Sequence, residues 1–418
     1  MTPPRVTIIG AGIGGLVLAL ELHAAGIPCR IYERAAELRP LGVGINILPH
    51  ATEVLAELDV LDRLERLGIQ TREAVFYNRF GQGIYAEPAG RYAGYAYPQL
   101  SIHRGELQLE LARIVTERLG ADAIILNHEC QGVHQHDHEV TAVFRDPSTG
   151  ASLRGITSEV VVGCDGVHSA IRRQFHPSET TPRYSGVLMW RGTAVAPPFL
   201  TGASMVRAGW LSTGKLVIYP IRDNVDADGH QLINWVAELE RPYDGDRDWS
   251  RPGELTDFLP AFADWHFDWL DVPQLLASSD TILEYPMVDQ DPLERWTFGR
   301  TTLLGDAAHP MVPRGSNGAG QAILDARRLR AALVEHHDPG DALADYESER
   351  RPKTTAVVLT NRVDPPDAIL REVWRRTGDR PFDDIESVIG AAELAPISQR
   401  YKNIAGLQMP ASPKQAQA

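Results

Sequence analysis

The sequence predicts an α/β fold in which a nucleotide-binding domain is interleaved with a domain built on an antiparallel β-sheet, followed by C-terminal helices. Three observations lead to this prediction. An apolar strand enters a glycine-rich turn at residues 6–15, and a second short strand ends in Gly305-Asp306 near the other end of the chain. Between them, residues 183–290 alternate aromatic and β-branched positions, which is typical of antiparallel strands.

The first segment has the pattern of a dinucleotide-binding βαβ unit. Val6–Ile9 is β-branched and apolar, as a buried parallel strand requires, and Gly10–Gly15 follows with the G-x-G-x-x-G spacing. These glycines allow a tight turn, the approach of a pyrophosphate and the packing of helix on strand. A second strand, Cys29–Tyr32, then leads to Glu33, where an acidic residue would bind a ribose. We therefore predict a Rossmann-like unit.

The remaining segments give the order of elements. We predict helices over residues 50–68 and 104–119, strands and turns over 70–100, a hairpin of Val140–Phe144 with Ile156–Val162, and helix over 318–362 interrupted at Arg350-Arg351-Pro352. The predicted nucleotide-binding domain is discontinuous and comprises residues 1–70, 100–182 and 285–362. The sheet domain comprises residues 71–99 and 183–284. Residues 363–418 form a C-terminal helical segment with a tail, from about residue 395, that we expect to fray.

Composition limits the classes of partner. The net charge of −14 argues against nucleic acid and anionic membranes as partners. No stretch approaches the roughly 20 apolar residues of a membrane span, and the N-terminal apolar run lacks a signal-peptide pattern. The three cysteines form no C-x-x-C pair, which favours free thiols in a reducing cytoplasm. We expect a cytoplasmic monomer or homodimer without a metal, and we interpret His134, His136 and His138 as a solvated hairpin edge.

Two further strands end in a carboxylate. Val161–Val162 leads to Asp165-Gly166, and the strand before Gly305 leads to Asp306 and then to a Gly-, Ser- and Asn-rich loop. A carboxylate at a strand end can hold a sugar-like hydroxyl, and a bare loop before a helix near Gly318 offers N–H donors to a polar ligand.

In these motifs the chain resembles the class A FAD-dependent aromatic monooxygenases, the family of para-hydroxybenzoate and salicylate hydroxylases. Within that family it is most similar to the phenazine-1-carboxylate monooxygenase type. Shared segments include residues 39–47, 97–108, 189–192, 262–265 and 285–289. One departure is Gln290, where the family usually carries Arg, and this puts an ion pair at that position in doubt.

The resemblance implies FAD as cofactor and NAD(P)H as co-substrate. The residues that it implies for FAD, together with the glycines of the fingerprint, are Gly10, Gly12, Gly14, Gly15, Glu33, Arg34, Gly44, Arg104, Gln108, Asp165, Gly305, Asp306, Pro313, Gly315, Gly318 and Ala319. We predict substrate contacts from Trp190, Tyr219, Trp235, Tyr285, Met287 and Met311, although an aromatic residue on a strand is more often core than ligand contact. Candidate catalytic residues are His309, Pro310 and Arg191, of which Arg191 could bind a substrate carboxylate.

The implied activity is hydroxylation of an aromatic or N-heteroaromatic carboxylic or phenolic substrate with dioxygen, through a flavin C4a-hydroperoxide. Decarboxylation could accompany it. Alternatives are an FAD-dependent epoxidase or hydroxylase of a polycyclic polyketide-type substrate and, with less support, a flavin halogenase, since no Gly-Trp-x-Trp-x-Ile-Pro-like segment is present. A flavin-storage module would not require the aromatic-rich sheet domain.

Overall fold

The computed structural model describes residues 4–179, 182–243 and 251–407, whose strands form five sheets. In chain order the strands are β1 (Val6–Ile9), β2 (Cys29–Tyr32), β3 (Gly44–Ile47), β4 (Ile69–Gln70), β5 (Glu73–Tyr77), β6 (Gly83–Pro88), β7 (Leu100–His103), β8 (Ile124–Ile125), β9 (Glu129–Gln135), β10 (Val140–Arg145), β11 (Ile156–Ser158), β12 (Val160–Gly163), β13 (Arg183–Ala196), β14 (Ser204–Trp210), β15 (Gly214–Arg222), β16 (Gln231–Glu240), β17 (His266–Phe267), β18 (Leu270–Asp271), β19 (Ile282–Asp289) and β20 (Thr301–Leu303).

The α-helices are α1 (Ile13–Ala24), α2 (Pro49–Glu57), α3 (Leu61–Glu65), α4 (Arg104–Leu119), α5 (Ala170–Phe175), α6 (Leu255–Phe258), α7 (Val272–Ala277), α8 (Gly318–Glu335), α9 (Pro339–Val363), α10 (Ala368–Thr377) and α11 (Ala391–Ile404). No helix in the described ranges is long and apolar enough to cross a membrane.

A five-stranded parallel sheet brings the three sequence motifs together. Its strand order is β20-β12-β1-β2-β8, and Ile8 pairs with Val162, which in turn pairs with Thr302. The carboxyl ends of β1, β12 and β20 therefore lie side by side, although they are far apart in the sequence. This is the edge where ligands bind in open α/β sheets. The predicted Rossmann-like α/β architecture is confirmed.

Helix α1 packs tightly on this sheet because of one glycine. A Cβ built at Gly15 would lie 2.1 Å from the carbonyl oxygen of Gly10, so only glycine permits this approach. Most of α1 is buried, including Leu16 and Leu20, and the chain leaves the helix at Gly26 with φ +69°. The predicted βαβ unit is therefore confirmed, including the bounds of its two strands.

A seven-stranded sheet forms the second layer, with strand order β19-β13-β16-β15-β14-β5-β6. Its pairs are antiparallel except β14 with β5, which is parallel. The sheet thus joins strands from residues 73–88 with strands from residues 183–289, as the interleaved arrangement requires. The exact domain boundaries stay a prediction.

The two faces of the seven-stranded sheet are covered differently. One face packs an aromatic core of Trp190, Trp235 and Phe258 against α6 and α7. The other face meets residues of α10 and α11, such as Ile369 and Leu394. The C-terminal helices are therefore packed on the sheet. The stretch that the sequence predicts to fray, from about residue 395, is instead helical as far as Ile404 because α11 buries Ser398 and Tyr401, and its last residues, 408–418, lie outside the described residues.

Two helix predictions were wrong in detail. The segment 50–68 is divided into α2 and α3 at Asp59, whose φ is +54°. The long C-terminal helix is not interrupted at Pro352, which lies inside α9; the break is at residues 336–338. There Asp338 caps α9 by accepting N–H groups of its first turn, and Pro339 follows at the first helical position, where proline has no hydrogen bond to lose.

Candidate active site

The glycine turn after β1 is held by two side chains from other elements. Glu33 accepts the backbone N–H groups of Ala11 and Ala35, each at 2.8 Å, and the Gln108 amide donates to the carbonyl oxygen of Ala11 at 2.8 Å. The turn therefore has a fixed shape before the first turn of α1. A Cβ built at Gly12 would meet nothing within 4 Å, so the space over this helix N-terminus is open.

Asp165 lies at the end of β12, next to that turn. One carboxylate oxygen accepts the backbone N–H of Ala170 at 2.8 Å, whereas the other is buried and has no partner among the described residues. Burial raises the pKa of this carboxyl, although hydrogen bonds from Ser169 and Ala170 oppose the rise. A buried acceptor without a partner among the described residues is unusual and marks Asp165 as a candidate contact for a polar ligand group.

Arg172 connects this segment to the third motif. Its guanidinium donates to the carbonyl oxygens of Ala307 and Ala308, both at 3.0 Å, and pairs with Glu179. Arg172 is 2% exposed, so the contact is an internal one. In the sequence Arg172 follows Asp165 by one short helix, but no pattern indicates which distant segment its guanidinium contacts.

The turn after β20 leaves Asp306 exposed to solvent and is held by hydrogen bonds with buried side chains. The Asp306 carboxylate is exposed, and one of its oxygens lies 4.0 Å from the Cβ position of Gly318 at the start of α8. Behind it, Asp325 accepts the N–H of Gly305 at 3.1 Å and contacts His309 Nε2 at 2.6 Å. The carboxylate and the following helix start therefore share one edge of the site.

His309 and Pro310, predicted as catalytic, are both buried. His309 is 3% exposed, and its Nε2 atom points to Asp325 rather than to a cavity. Asp325 also forms an ion pair with Arg350, with Nε to Oδ1 at 2.7 Å, so the histidine belongs to a buried charged cluster. The contact of His309 with Asp325 favours a positioning role, and its predicted catalytic role stays a prediction.

A pocket lies between the seven-stranded sheet and the loop after β20. Its lining residues are Asn46, Met189, Arg191, Met205, Arg207, Lys215, Val217, Tyr219, Val236, Glu238, Pro313, Arg314, Gly315, Ser316 and Asp367. The loop therefore borders both the edge of the parallel sheet and this pocket. Arg191 and Tyr219, two of the candidate site residues, are among these lining residues.

The strands β13 to β16 form the floor of the pocket, and one row of paired residues crosses it. Arg191 on β13 pairs with Val236 on β16, Val236 with Val217 on β15, and Val217 with Arg207 on β14. Three strand spacings separate the two arginines, so their backbones are about 14 Å apart. A flat apolar strip of two valines thus lies between two guanidinium groups.

The end of this floor at Arg207 carries its own counter-charges. Lys215 contacts Glu238 at 2.9 Å and Asp367 at 2.5 Å, and Asp367 also contacts Arg207 at 3.2 Å. Burial opposes ionisation of Asp367, but Lys215 and Arg207 outweigh burial and hold its pKa below the ordinary value. This end is therefore a closed network of opposite charges.

The other end is different because Arg191 forms no ion pair with any described carboxylate. Its guanidinium donates to the carbonyl oxygen of Gly44 at 2.9 Å, and its Nε is buried without a partner in the described part of the chain. Burial raises the pKa of the neighbouring Tyr219, and the positive charge of Arg191 opposes that rise. This end of the pocket therefore has an uncompensated positive charge.

Several predicted residues lie elsewhere. Trp190 and Trp235 are fully buried on the opposite face of the sheet, because neighbours on a strand alternate faces and Arg191 and Val236 already face the pocket. We correct their predicted substrate contact accordingly. Met287 is buried on the same side of the sheet as the pocket but does not line it. Tyr285 and Met311 are half-buried and do not line the pocket either.

Sequence reasoning missed the polar residues of the pocket floor. Lys215, Glu238 and Asn46 line the pocket. Each is a polar residue within an otherwise apolar strand, and this pattern could have indicated them as candidate pocket residues. For Asp367 there was no such signal, because it precedes α10 in the C-terminal segment. Next to Gln290, which carries no charge, Asp289 pairs with Arg362 at 2.8 Å.

These residues fit an FAD molecule. The open space at Gly12 and the free N–H groups at the start of α1 suit a pyrophosphate. The exposed Asp306 and the partnerless oxygen of Asp165 suit hydroxyl groups or ring edges farther along a dinucleotide.

Comparison with known proteins supports this. Residues 4–361 match the family described as FAD binding domain. The chain is 42% identical over 407 residues to phenazine 1,6-dicarboxylic acid hydroxylase of Lysobacter antibioticus, covering 96% of this chain and 97% of that protein. It is 30% identical over 389 residues to 6-hydroxynicotinate 3-monooxygenase of Bordetella bronchiseptica, covering 90% and 94%.

Among solved structures, a salicylate hydroxylase substrate complex superposes with a TM-score of 0.72 at 22% identity, covering 98% of this chain and 99% of that one, which shows a shared fold. The relatives are FAD-dependent hydroxylases of aromatic compounds, and NAD(P)H use is typical of the class. The chain therefore belongs to the FAD binding domain family and is an FAD-dependent aromatic-ring monooxygenase.

Proposed function

We propose that the protein hydroxylates an aromatic or N-heteroaromatic carboxylic acid and that Arg191 binds the carboxylate. The observation that carries this proposal is the uncompensated guanidinium of Arg191 at one end of a flat valine floor. A half-buried cation with no counter-charge among the described residues favours an anionic ligand, and an arginine can bind a carboxylate with two parallel hydrogen bonds. The relative from Lysobacter antibioticus acts on a phenazine dicarboxylic acid, which is a flat ring system of this kind.

The proposed reaction balances with two co-substrates. The aromatic C–H, dioxygen, NAD(P)H and one proton give the aromatic C–OH, NAD(P)⁺ and water. FAD, when bound, supplies the electron transfer from NAD(P)H and the activation of dioxygen. Hydroxylation at the carbon that bears the carboxylate would release carbon dioxide, and this decarboxylative course is the variant outcome.

The residues of the chain would act by binding and orientation. Gly12 and the start of α1 would hold the pyrophosphate, Asp306 the ribityl chain, and Asp165 a polar group next to it. Glu33 would keep the glycine turn in shape through its bonds to Ala11 and Ala35. A buried pocket under the loop of residues 313–316 would exclude water from the reacting ring.

Arg191→Gln tests the carboxylate contact. With an aromatic acid that stimulates NAD(P)H oxidation, this variant should raise KM by roughly 10- to 100-fold, as expected for a lost hydrogen bond to a charged group. The amide or methyl ester of the same acid should be a poor substrate for both proteins. Arg183→Gln, an exposed arginine on the same strand, is the matched control. Equal use of acid and ester by the unaltered protein would contradict the proposal.

The alternatives have distinct readouts. An epoxidase or hydroxylase of polycyclic polyketide-type substrates would prefer uncharged rings, and its KM would not depend on Arg191. A flavin halogenase would require chloride or bromide for product formation.

We also propose a cytoplasmic location. The oligomeric state, monomer or homodimer, stays a prediction.

A further inference from the structure

A tyrosine of the last described helix reaches the loop that borders the pocket. Tyr401 on α11 is 5% exposed, and its hydroxyl lies 2.5 Å from Asn361 Oδ1 and 3.2 Å from the carbonyl oxygen of Arg314. The side-chain amide of Asn317 donates to the same hydroxyl at 2.9 Å. One buried oxygen thus joins α11, α9 and both ends of the segment 314–317.

The loop is shaped around this side chain. Gly315 has φ +70°, and a Cβ built there would lie 2.1 Å from the hydroxyl oxygen of Tyr401. Any larger residue at 315 would displace the tyrosine or the loop. The contact is therefore a close steric fit as well as a set of hydrogen bonds.

The C-terminal segment also holds the start of α8. Asn317 donates a second hydrogen bond to the carbonyl oxygen of Gly315 at 2.9 Å. Gln321 donates to the carbonyl oxygen of Ala405 at 3.1 Å and accepts from Arg350, at 2.6 Å. The loop is thus fixed by a continuous buried network that begins at Tyr401 and ends at Asp325.

The N–H groups of the loop are left for another partner. Side chains of this network contact the carbonyl oxygens of Arg314 and Gly315, whereas the backbone N–H groups of Gly315 and Ser316 donate to no group among the described residues. Both residues line the pocket. N–H groups that are fixed in this way cost no reorganisation when negative charge develops near them.

We propose that Tyr401 is a positioning residue for the flavin, acting through the loop of residues 313–318. It lies outside the matched domain, which ends at residue 361. Through its hydroxyl it fixes the direction of the loop N–H groups, which stabilise negative charge on the reduced flavin and hold the substrate ring in register with it. This rests on the proposed function, with the loop beside the flavin as the resemblance implies for Pro313, Gly315 and Gly318.

The first test measures the loop itself. Tyr401→Phe keeps the ring and removes only the hydroxyl; Tyr184→Phe, which removes a hydroxyl bonded to the carbonyl oxygen of Arg241 at 2.7 Å, is the matched control. In the full-length FAD-loaded protein, Tyr401→Phe should speed amide hydrogen exchange of residues 315–317 by about tenfold or more, and the control should not. Unchanged exchange would overturn the proposal.

The second test measures the flavin. Tyr401→Phe should make the flavin potential more negative, with about a tenfold change in the reduction equilibrium, or about 30 mV for a two-electron couple. The fraction of NAD(P)H that ends as hydrogen peroxide should rise several-fold, with little change in substrate KM. Faster exchange without a potential shift would contradict the flavin-facing placement and overturn the proposal, while leaving the Arg191 test of substrate binding unaffected.

If Tyr401→Phe does not fold, Asn361→Ala tests the same link, because it keeps the tyrosine and removes its acceptor. It should change exchange, potential and peroxide yield in the same directions. Values equal to those of the unaltered protein would overturn the proposal.

Discussion

The Nε2 atom of His309 lies 2.6 Å from the Oδ2 atom of Asp325, and both side chains are buried behind the Gly305-Asp306 turn. Burial alone would raise the pKa of Asp325, but His309 and Arg350 outweigh burial and lower it. Asp325 also accepts the N–H of Gly305. The pair therefore supports the turn that carries Asp306.

Asp325→Ala should be strongly destabilising because it leaves His309 and Arg350 buried without their counter-charge. We expect a loss of about 3–5 kcal/mol in the free energy of unfolding, measured by urea denaturation of the FAD-saturated protein. Lys353→Ala, which removes the surface pair with Glu349, should cost at most about 1 kcal/mol. Similar losses in the two variants would show that the buried network is not a support.

Two glycines of the fingerprint should respond differently to alanine. Gly12→Ala should fold with ordinary stability, because its Cβ meets nothing within 4 Å, but should bind FAD at least about tenfold more weakly since the methyl group fills the phosphate space. Gly15→Ala should instead lose stability, by about 1–3 kcal/mol, because its Cβ would lie 2.1 Å from the Gly10 oxygen. Flavin fluorescence titration and thermal unfolding measure the two effects. Unimpaired FAD binding by Gly12→Ala would place the pyrophosphate elsewhere.

Asp306→Ala should weaken FAD binding by roughly 10- to 100-fold, since a charge-assisted hydrogen bond to a ribityl hydroxyl would be lost. Stability without FAD should hardly change because the carboxylate is exposed. Asp122→Ala, an exposed carboxylate remote from the motifs, serves as the control. Full flavin occupancy of Asp306→Ala at low FAD concentration would exclude the proposed role.

His50 should make the stability of the protein depend on pH. Burial, with a smaller contribution from Arg350, lowers its pKa to about 4, and both ring nitrogens lack a partner among the described residues. Between about pH 6.5 and pH 4 the unfolded chain binds a proton at His50 that the folded protein does not, so stability falls as pH falls.

The contribution of His50 should reach roughly 3 kcal/mol by pH 4 at most. His50→Gln should flatten this part of the curve of unfolding free energy against pH. A curve as steep as that of the unaltered protein would assign the acid sensitivity to other groups.

The sequence allowed the parallel sheet and its three motifs to be predicted because each motif is local. The requirements of Gly10–Gly15, Asp165 and Asp306 are set by a strand end and the turn after it. Their meeting at one sheet edge follows from the rule that parallel strands share a carboxyl edge. A different pattern, the alternation of aromatic and β-branched residues over 183–290, indicated the antiparallel sheet on which Arg191 and Tyr219 line the pocket.

The remaining features depend on contacts between distant segments. Trp190 and Arg191 are neighbours in sequence, and only the packing of helices on either side of the sheet decides which of them faces the pocket. Asp367 and Tyr401 reach the site because α10 and α11 pack on that face, and no local pattern indicates this. Pro352 remains inside α9 because helix packing outweighs the loss of one backbone hydrogen bond.

The most direct test of the account is to supply an aromatic carboxylic acid, NAD(P)H and isotopically labelled dioxygen to the FAD-loaded protein and to analyse the product by mass spectrometry. We predict a hydroxylated product that carries one labelled oxygen atom, formed with substrate-stimulated NAD(P)H oxidation and without a halide. A product without label, or one that forms only when chloride or bromide is present, would contradict the account.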